Sequence, residues 1–93
     1  MRKYELVCIL GSLDEMAKKE IIKKIKDFIV DLGGKIEKEE GLGVKKLVYR
    51  IKKQTEGDYF LFLIELDSKA VGKLDEKLKR EENLLRYLLV RIK

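Results

Sequence analysis

Apolar and polar positions along this chain follow a pattern that predicts six elements. Tyr4–Leu10 is a short apolar-rich run closed by Gly11 and reads as a first strand. Ser12-Leu13-Asp14-Glu15 fits a capping box, with Ser12 as the cap and Glu15 reaching back. From Leu13 to Leu32 apolar residues, Ile21, Ile22, Ile25, Phe28 and Ile29 among them, recur at spacings of three and four and draw one helical stripe. Gly33-Gly34 ends that helix. Lys35–Lys52 reads as a long strand broken at Gly41 and Gly43 by a bulge or bend. Its later part keeps Leu47, Tyr49 and Ile51 on one face and is rich in cations. Gln54–Asp58 reads as a polar turn holding Gly57, and Tyr59–Leu66 as the most apolar strand. Ser68 fits the cap of a second helix with an inner face of Val71, Leu74 and Leu78, and Leu84–Ile92 is a final strand.

The order β-α-β-β-α-β, with right-handed crossovers in two split βαβ halves, implies an α+β ferredoxin-like sandwich. Its four-stranded antiparallel sheet has the order 4-1-3-2 and carries both helices on one face. No linker or repeat interrupts the chain, so residues 1–93 read as one domain. A sheet covered on one side should alternate apolar and polar, and here it does not. If Leu6, Cys8, Leu10, Phe60, Phe62, Ile64 and Leu66 face the helices, the other face still receives Val7, Ile9, Leu61 and Leu63, with Leu88 and Val90 from the last strand. A contiguous apolar face of this kind marks an interface, so a protein partner is expected.

Composition narrows the chemistry. The chain has 22 Lys and Arg against 17 Asp and Glu, a net charge of +5 that suits an anionic partner without demanding one. The lone Cys8, inside an apolar run, excludes an intrachain disulfide and reads as a small core residue in a reducing, cytoplasmic setting. No stretch approaches the length of a membrane span. There is no His, so no His-based acid–base pair or nucleophile can form, and no cysteine cluster has metal-ligand spacing. Gly41-Leu42-Gly43 leads into a strand and lacks the helix N-terminus of a phosphate cradle. The adjacent acids Asp14-Glu15, Glu39-Glu40 and Glu81-Glu82 read as solvated surface, because neighbouring side chains point apart. No catalysis and no cofactor are expected.

Cations fall into several groups: Arg2 and Lys3, the run Lys45–Lys53, Lys79 and Arg80, and Arg86 with Arg91. Pairing of the first and last strands would bring Arg2, Lys3, Arg86 and Arg91 to one side of the sheet, with Lys45–Lys53 at the opposite edge. Tyr4, Tyr49, Tyr59 and Tyr87 lie near these cations and offer rings for base stacking. An RNA-recognition motif shares the element order, but Leu6–Leu10 has no aromatic and the open face would present aliphatics where bases stack.

Met1-Arg2-Lys3-Tyr4-Glu5, the stretch Leu42-Gly43-Val44-Lys45-Lys46-Leu47-Val48-Tyr49-x-Ile51, Gly57 before an aromatic strand ending in Ile64-Glu65, and Glu82-Asn83 before a strand with Arg86 occur in an order that resembles the family of bacterial small-subunit ribosomal protein six. The resemblance covers essentially the whole chain. Arg50 stands where the family often has proline, and the chain stops at Lys93 without the longer tail of many members. The resemblance implies a structural constituent of the small ribosomal subunit that binds the central domain of 16S ribosomal RNA together with ribosomal protein eighteen. RNA contact would then fall on Arg2, Lys3, Arg86 and Arg91, with Lys45 and Lys46, and partner packing on Val7, Ile9, Leu61, Leu63, Leu88 and Val90. The competing reading is a regulatory module of the ACT type, which shares the fold and self-associates to hold a small molecule.

Overall fold

A computed structural model describes residues 1–92. The elements are β1 (Arg2–Leu10), α1 (Glu15–Asp31), β2 (Lys35–Ile51), β3 (Gln54–Leu66), a 3₁₀ turn (Ser68–Ala70), α2 (Val71–Lys79) and β4 (Leu84–Ile92). The sheet order is β2-β3-β1-β4, all neighbours antiparallel, with the helices on one face. This is the ferredoxin-like arrangement that the element order implies.

Burial follows the period of two along the central strands. Leu6, Cys8 and Leu10 of β1 and Phe62, Ile64 and Leu66 of β3 lie buried beneath Ile25 and Ile29 of α1 and Leu74 and Leu78 of α2. Burial also pushes the Cys8 thiol up to about 12, so it stays protonated as an ordinary core residue.

Helix α1 ends as its sequence predicts. Gly33 takes a left-handed φ of 83°, and the N–H groups of Gly33 and Gly34 donate to the carbonyls of Val30 and Ile29, both at 2.9 Å. These are the two hydrogen bonds of a Schellman motif. Its N-terminus departs from expectation. The cap is Asp14, whose Oδ1 accepts from the Ala17 N–H at 2.8 Å, while the Ser12 N–H donates to Gln54 Oε1 at 3.4 Å. Starting the helix after Asp14 leaves Leu13 free to pack on the core and puts a carboxylate at the positive end of the helix dipole. The second helical segment shifts likewise. Asp67, not Ser68, accepts from the Lys69 N–H at 2.9 Å and opens the 3₁₀ turn that leads into α2.

The connection between β2 and β3 is the largest correction. Gln54–Asp58 is not a turn but the start of β3, and the chain reverses at Lys52 and Lys53. Both have left-handed backbones, φ 47° and 66°, as a two-residue hairpin turn requires. The ladder shifts register between Ile36 and Lys38, between Gly41 and Gly43, and between Lys46 and Ile51. At the last break Thr55 alone opposes Leu47–Arg50, because Lys46 pairs with Glu56 and Ile51 with Gln54. The alternation expected for this segment is therefore lost, and Val48 and Tyr49 are 91% and 75% exposed.

Candidate functional site

Strand register fixes what the uncovered face presents. One row across the sheet carries Glu40, Leu61, Val7 and Leu88 from β2, β3, β1 and β4. The rows beside it hold Lys38, Leu63, Glu5 and Val90, and Gly43, Tyr59, Ile9 and Arg86. All six apolar residues expected at a partner surface thus share this face. Val7, Ile9, Leu61 and Leu63 are half-buried by their neighbours, whereas Leu88 and Val90 on the edge strand are 60% and 45% exposed. Glu5 is the one charged residue set among them, between Leu63 and Val90 across the strands and beside Val7 along β1. Charge otherwise collects at the borders, with Lys3, Glu65 and Lys35 at one end and Arg86 at the other.

Pairing of β1 with β4 keeps Arg2, Lys3, Arg86 and Arg91 on one side of the sheet, with β2 at the opposite edge, but it does not gather them into one cluster. Lys3 pairs with Ile92 and Arg91 with Tyr4, so Arg2, Lys3 and Arg91 share one end of the β1–β4 pair. Arg86 pairs with Ile9, about 20 Å away at the usual rise per residue of a strand. Side-chain direction separates them further. Lys3 and Arg86 have the parity of the open face, whereas Arg2 and Arg91 have the parity of the helix face. Lys3 is also compensated by Glu37 at 3.5 Å. Lys45 and Lys46 sit beyond the sheet's middle on the β2–β3 hairpin, opposite Gly57 and Glu56 and facing opposite sides. The Lys45 ammonium stands 5.5 Å from the centre of the Tyr59 ring.

Two of the four tyrosines are committed to the fold. Tyr4 is buried on the helix face. Tyr87 donates from its hydroxyl to the Asp75 carboxylate and, at 3.3 Å, to the Asp75 carbonyl. Burial, then this hydrogen bond, pushes the Tyr87 phenol up to about 12, and the same bond with that from Lys79 lowers the Asp75 carboxyl. Tyr59 and Tyr49 remain accessible to a ligand.

Two carboxylates that sequence reasoning missed are buried. Glu81 is not solvated surface. It lies in the loop before β4, its side chain only 7% exposed, paired with Lys24 of α1 at 2.8 Å. Asp58 at the start of the β3 core pairs with Lys18 of α1 at 2.6 Å. Both lysines are raised by these hydrogen bonds. The signal lay in α1, where Lys18 and Lys24 flank the apolar stripe. Among the described residues no three His, Cys, Asp or Glu side chains gather as metal ligands, and no helix is long and apolar enough to cross a membrane.

The surface therefore combines an uncovered apolar face with cations at its ends and on the hairpin. Known proteins share both the sequence and the fold. The profile of the family described as Ribosomal protein S6 matches residues 3–91. The small ribosomal subunit protein bS6 of Halalkalibacterium halodurans is 36% identical over 92 residues, covering 98% of this chain and 97% of its own. That of Thermoanaerobacter pseudethanolicus is 38% identical over 92 residues, with the same 98% and 97% coverage. The crystal structure of 30S ribosomal protein S6 from Thermotoga maritima superposes with a TM-score of 0.91 at 28% identity, covering 98% of this chain and 87% of that one. A sheet with one greasy unpaired face, the family profile along nearly its whole length and close structural likeness together show that the chain belongs to the ribosomal protein S6 family of the small ribosomal subunit.

Proposed function

We propose that the chain is a non-catalytic adaptor of the small ribosomal subunit that binds the central domain of 16S ribosomal RNA jointly with ribosomal protein eighteen. The observation that carries this reading is the apolar open face, on which Val7, Ile9, Leu61, Leu63, Leu88 and Val90 form one surface with no covering element among the described residues. Burying such a surface against a protein removes apolar area from water and supplies the drive for association. Arg2, Lys3, Arg86, Arg91, Lys45 and Lys46 would meet phosphates around that interface, and their dispersal supports joint over solitary binding. Each phosphate contact adds a modest salt-dependent increment.

Leu88→Asp tests the face. Leu88 is 60% exposed in the free chain, so folding stability should change by no more than about 0.5 kcal/mol. Capture of ribosomal protein eighteen from ribonuclease-treated lysate should fall roughly tenfold. Unchanged capture would remove the open face from the interface. Sedimentation of extract decides the broader reading. Co-migration with the small subunit supports it, whereas a free homodimer stabilised by an amino acid supports the ACT-type alternative.

A further inference from the structure

Nearly all of the molecule's surplus charge sits on one element. Residues 44–56, the outer part of the β2–β3 hairpin, hold five cations (Lys45, Lys46, Arg50, Lys52 and Lys53) and one acid, Glu56. Subtracting these from the chain's 22 cations and 17 acids leaves 17 and 16, an almost neutral remainder. Many cations of that remainder are compensated, among them Lys3, Lys18, Lys24, Lys26, Lys38 and Lys79, each paired with a carboxylate. Among the described residues none of the arm's five forms an ion pair, and only Lys52 is engaged by hydrogen bonding, its ammonium donating to the Glu82 carbonyl at 3.1 Å.

Two further features single out the arm. The turn places lysines at two consecutive left-handed positions, where the backbone favours Asn-Gly and disfavours long side chains such as lysine. The broken ladder beside it releases Leu47–Arg50 from pairing and leaves Tyr49, next to Arg50 in sequence, 75% exposed.

We infer that this arm is the chain's principal RNA grip. Lys45, Lys46, Arg50 and Lys53 meet phosphates, Lys45 and Lys46 from opposite faces of the arm, and Tyr49 stacks on an unpaired base. The inference rests on the RNA-binding reading above and relocates its centre away from Arg2, Lys3 and Arg91. The ligand is RNA with an extruded nucleotide, because a ring can stack only on a base freed from its helix, and side chains cannot read the narrow major groove of paired RNA. Lys52 holds the arm's tip against the loop that leads into β4 and so gives the grip a fixed position.

The test uses the full chain, an RNA hairpin with an internal bulge and the same hairpin fully paired. Affinities are measured by fluorescence anisotropy across a potassium chloride series. Lys45→Gln combined with Arg50→Gln should reduce the log–log salt slope by about 1.4, at about 0.7 per lost phosphate contact. Tyr49→Ala should weaken binding of the bulged hairpin roughly tenfold and remove the preference over the paired one. Lys53→Gly separates function from folding. It relieves the left-handed backbone, so the melting temperature should rise while the salt slope falls by about 0.7. If Arg2→Gln with Arg91→Gln lowers the slope and the arm variants do not, the relocation is wrong and the RNA-binding reading stands. If neither set alters binding, both fall. Loss of ribosomal protein eighteen with RNA affinity intact would make the arm a protein-docking element and also overturn the inference.

Discussion

Tyr87, raised first by burial and then by its hydrogen bond to Asp75, couples stability to pH at both ends of the scale. Its folded-state pKa of about 12 exceeds the ordinary value of 10.0, so between pH 10 and 12 the unfolded chain loses a proton that the folded chain keeps. The stabilisation is complete below the ordinary value and disappears as pH rises through the folded one. Asp75, lowered by the same bond, contributes above its ordinary value and loses that contribution as pH falls. Tyr87→Phe should flatten the decline of unfolding free energy between pH 10 and 12, measured by urea titration at each pH, and should weaken the acid side. An unchanged alkaline slope would assign that decline to other groups. Such pairings are scarcely visible in sequence. Adjacent acids at Glu81-Glu82 read as surface because loops have no periodicity to reveal burial, and Glu81 is buried by a lysine on a distant helix. Asp14 and Ser12 are both good caps, and only the packing of Leu13 decides between them.

Helices and strands were the most legible level. Stripes of three and four fixed α1 and the inner face of α2, and Leu84–Ile92 stands where its apolar run places it. The hairpin turn escaped notice because Lys52-Lys53 has no turn signature, whereas Gln54–Asp58, polar and holding Gly57, mimics one. Helix α1 is fastened as well as packed: Lys18 ties it to Asp58 on β3 and Lys24 to Glu81 before β4. Removing one member of such a pair strands the other, while removing both can cost less. Lys24→Met alone should therefore lower the urea midpoint more than Lys24→Met combined with Glu81→Leu. A double variant less stable than the single one would show that the pair contributes more than an apolar substitute.

Across the whole molecule, the open face was legible because alternation failed on β1, β3 and β4 at once, a pattern that needs only parity to read. The grouping of cations was less legible, since parity and distance along the strands split Arg86 from Arg2 and Arg91. The face itself carries one discordant residue, Glu5, with Leu63 and Val90 across from it. Glu5→Leu should increase self-association in sedimentation equilibrium, and an unaltered mass distribution would deny the carboxylate any such part. When two copies meet face to face about the middle of the patch, each must strip water from its own carboxylate. A different protein need supply only one lysine or arginine at that spot. The same patch can thus welcome a stranger and turn away its twin, a choice made by a single side chain before any shape is compared.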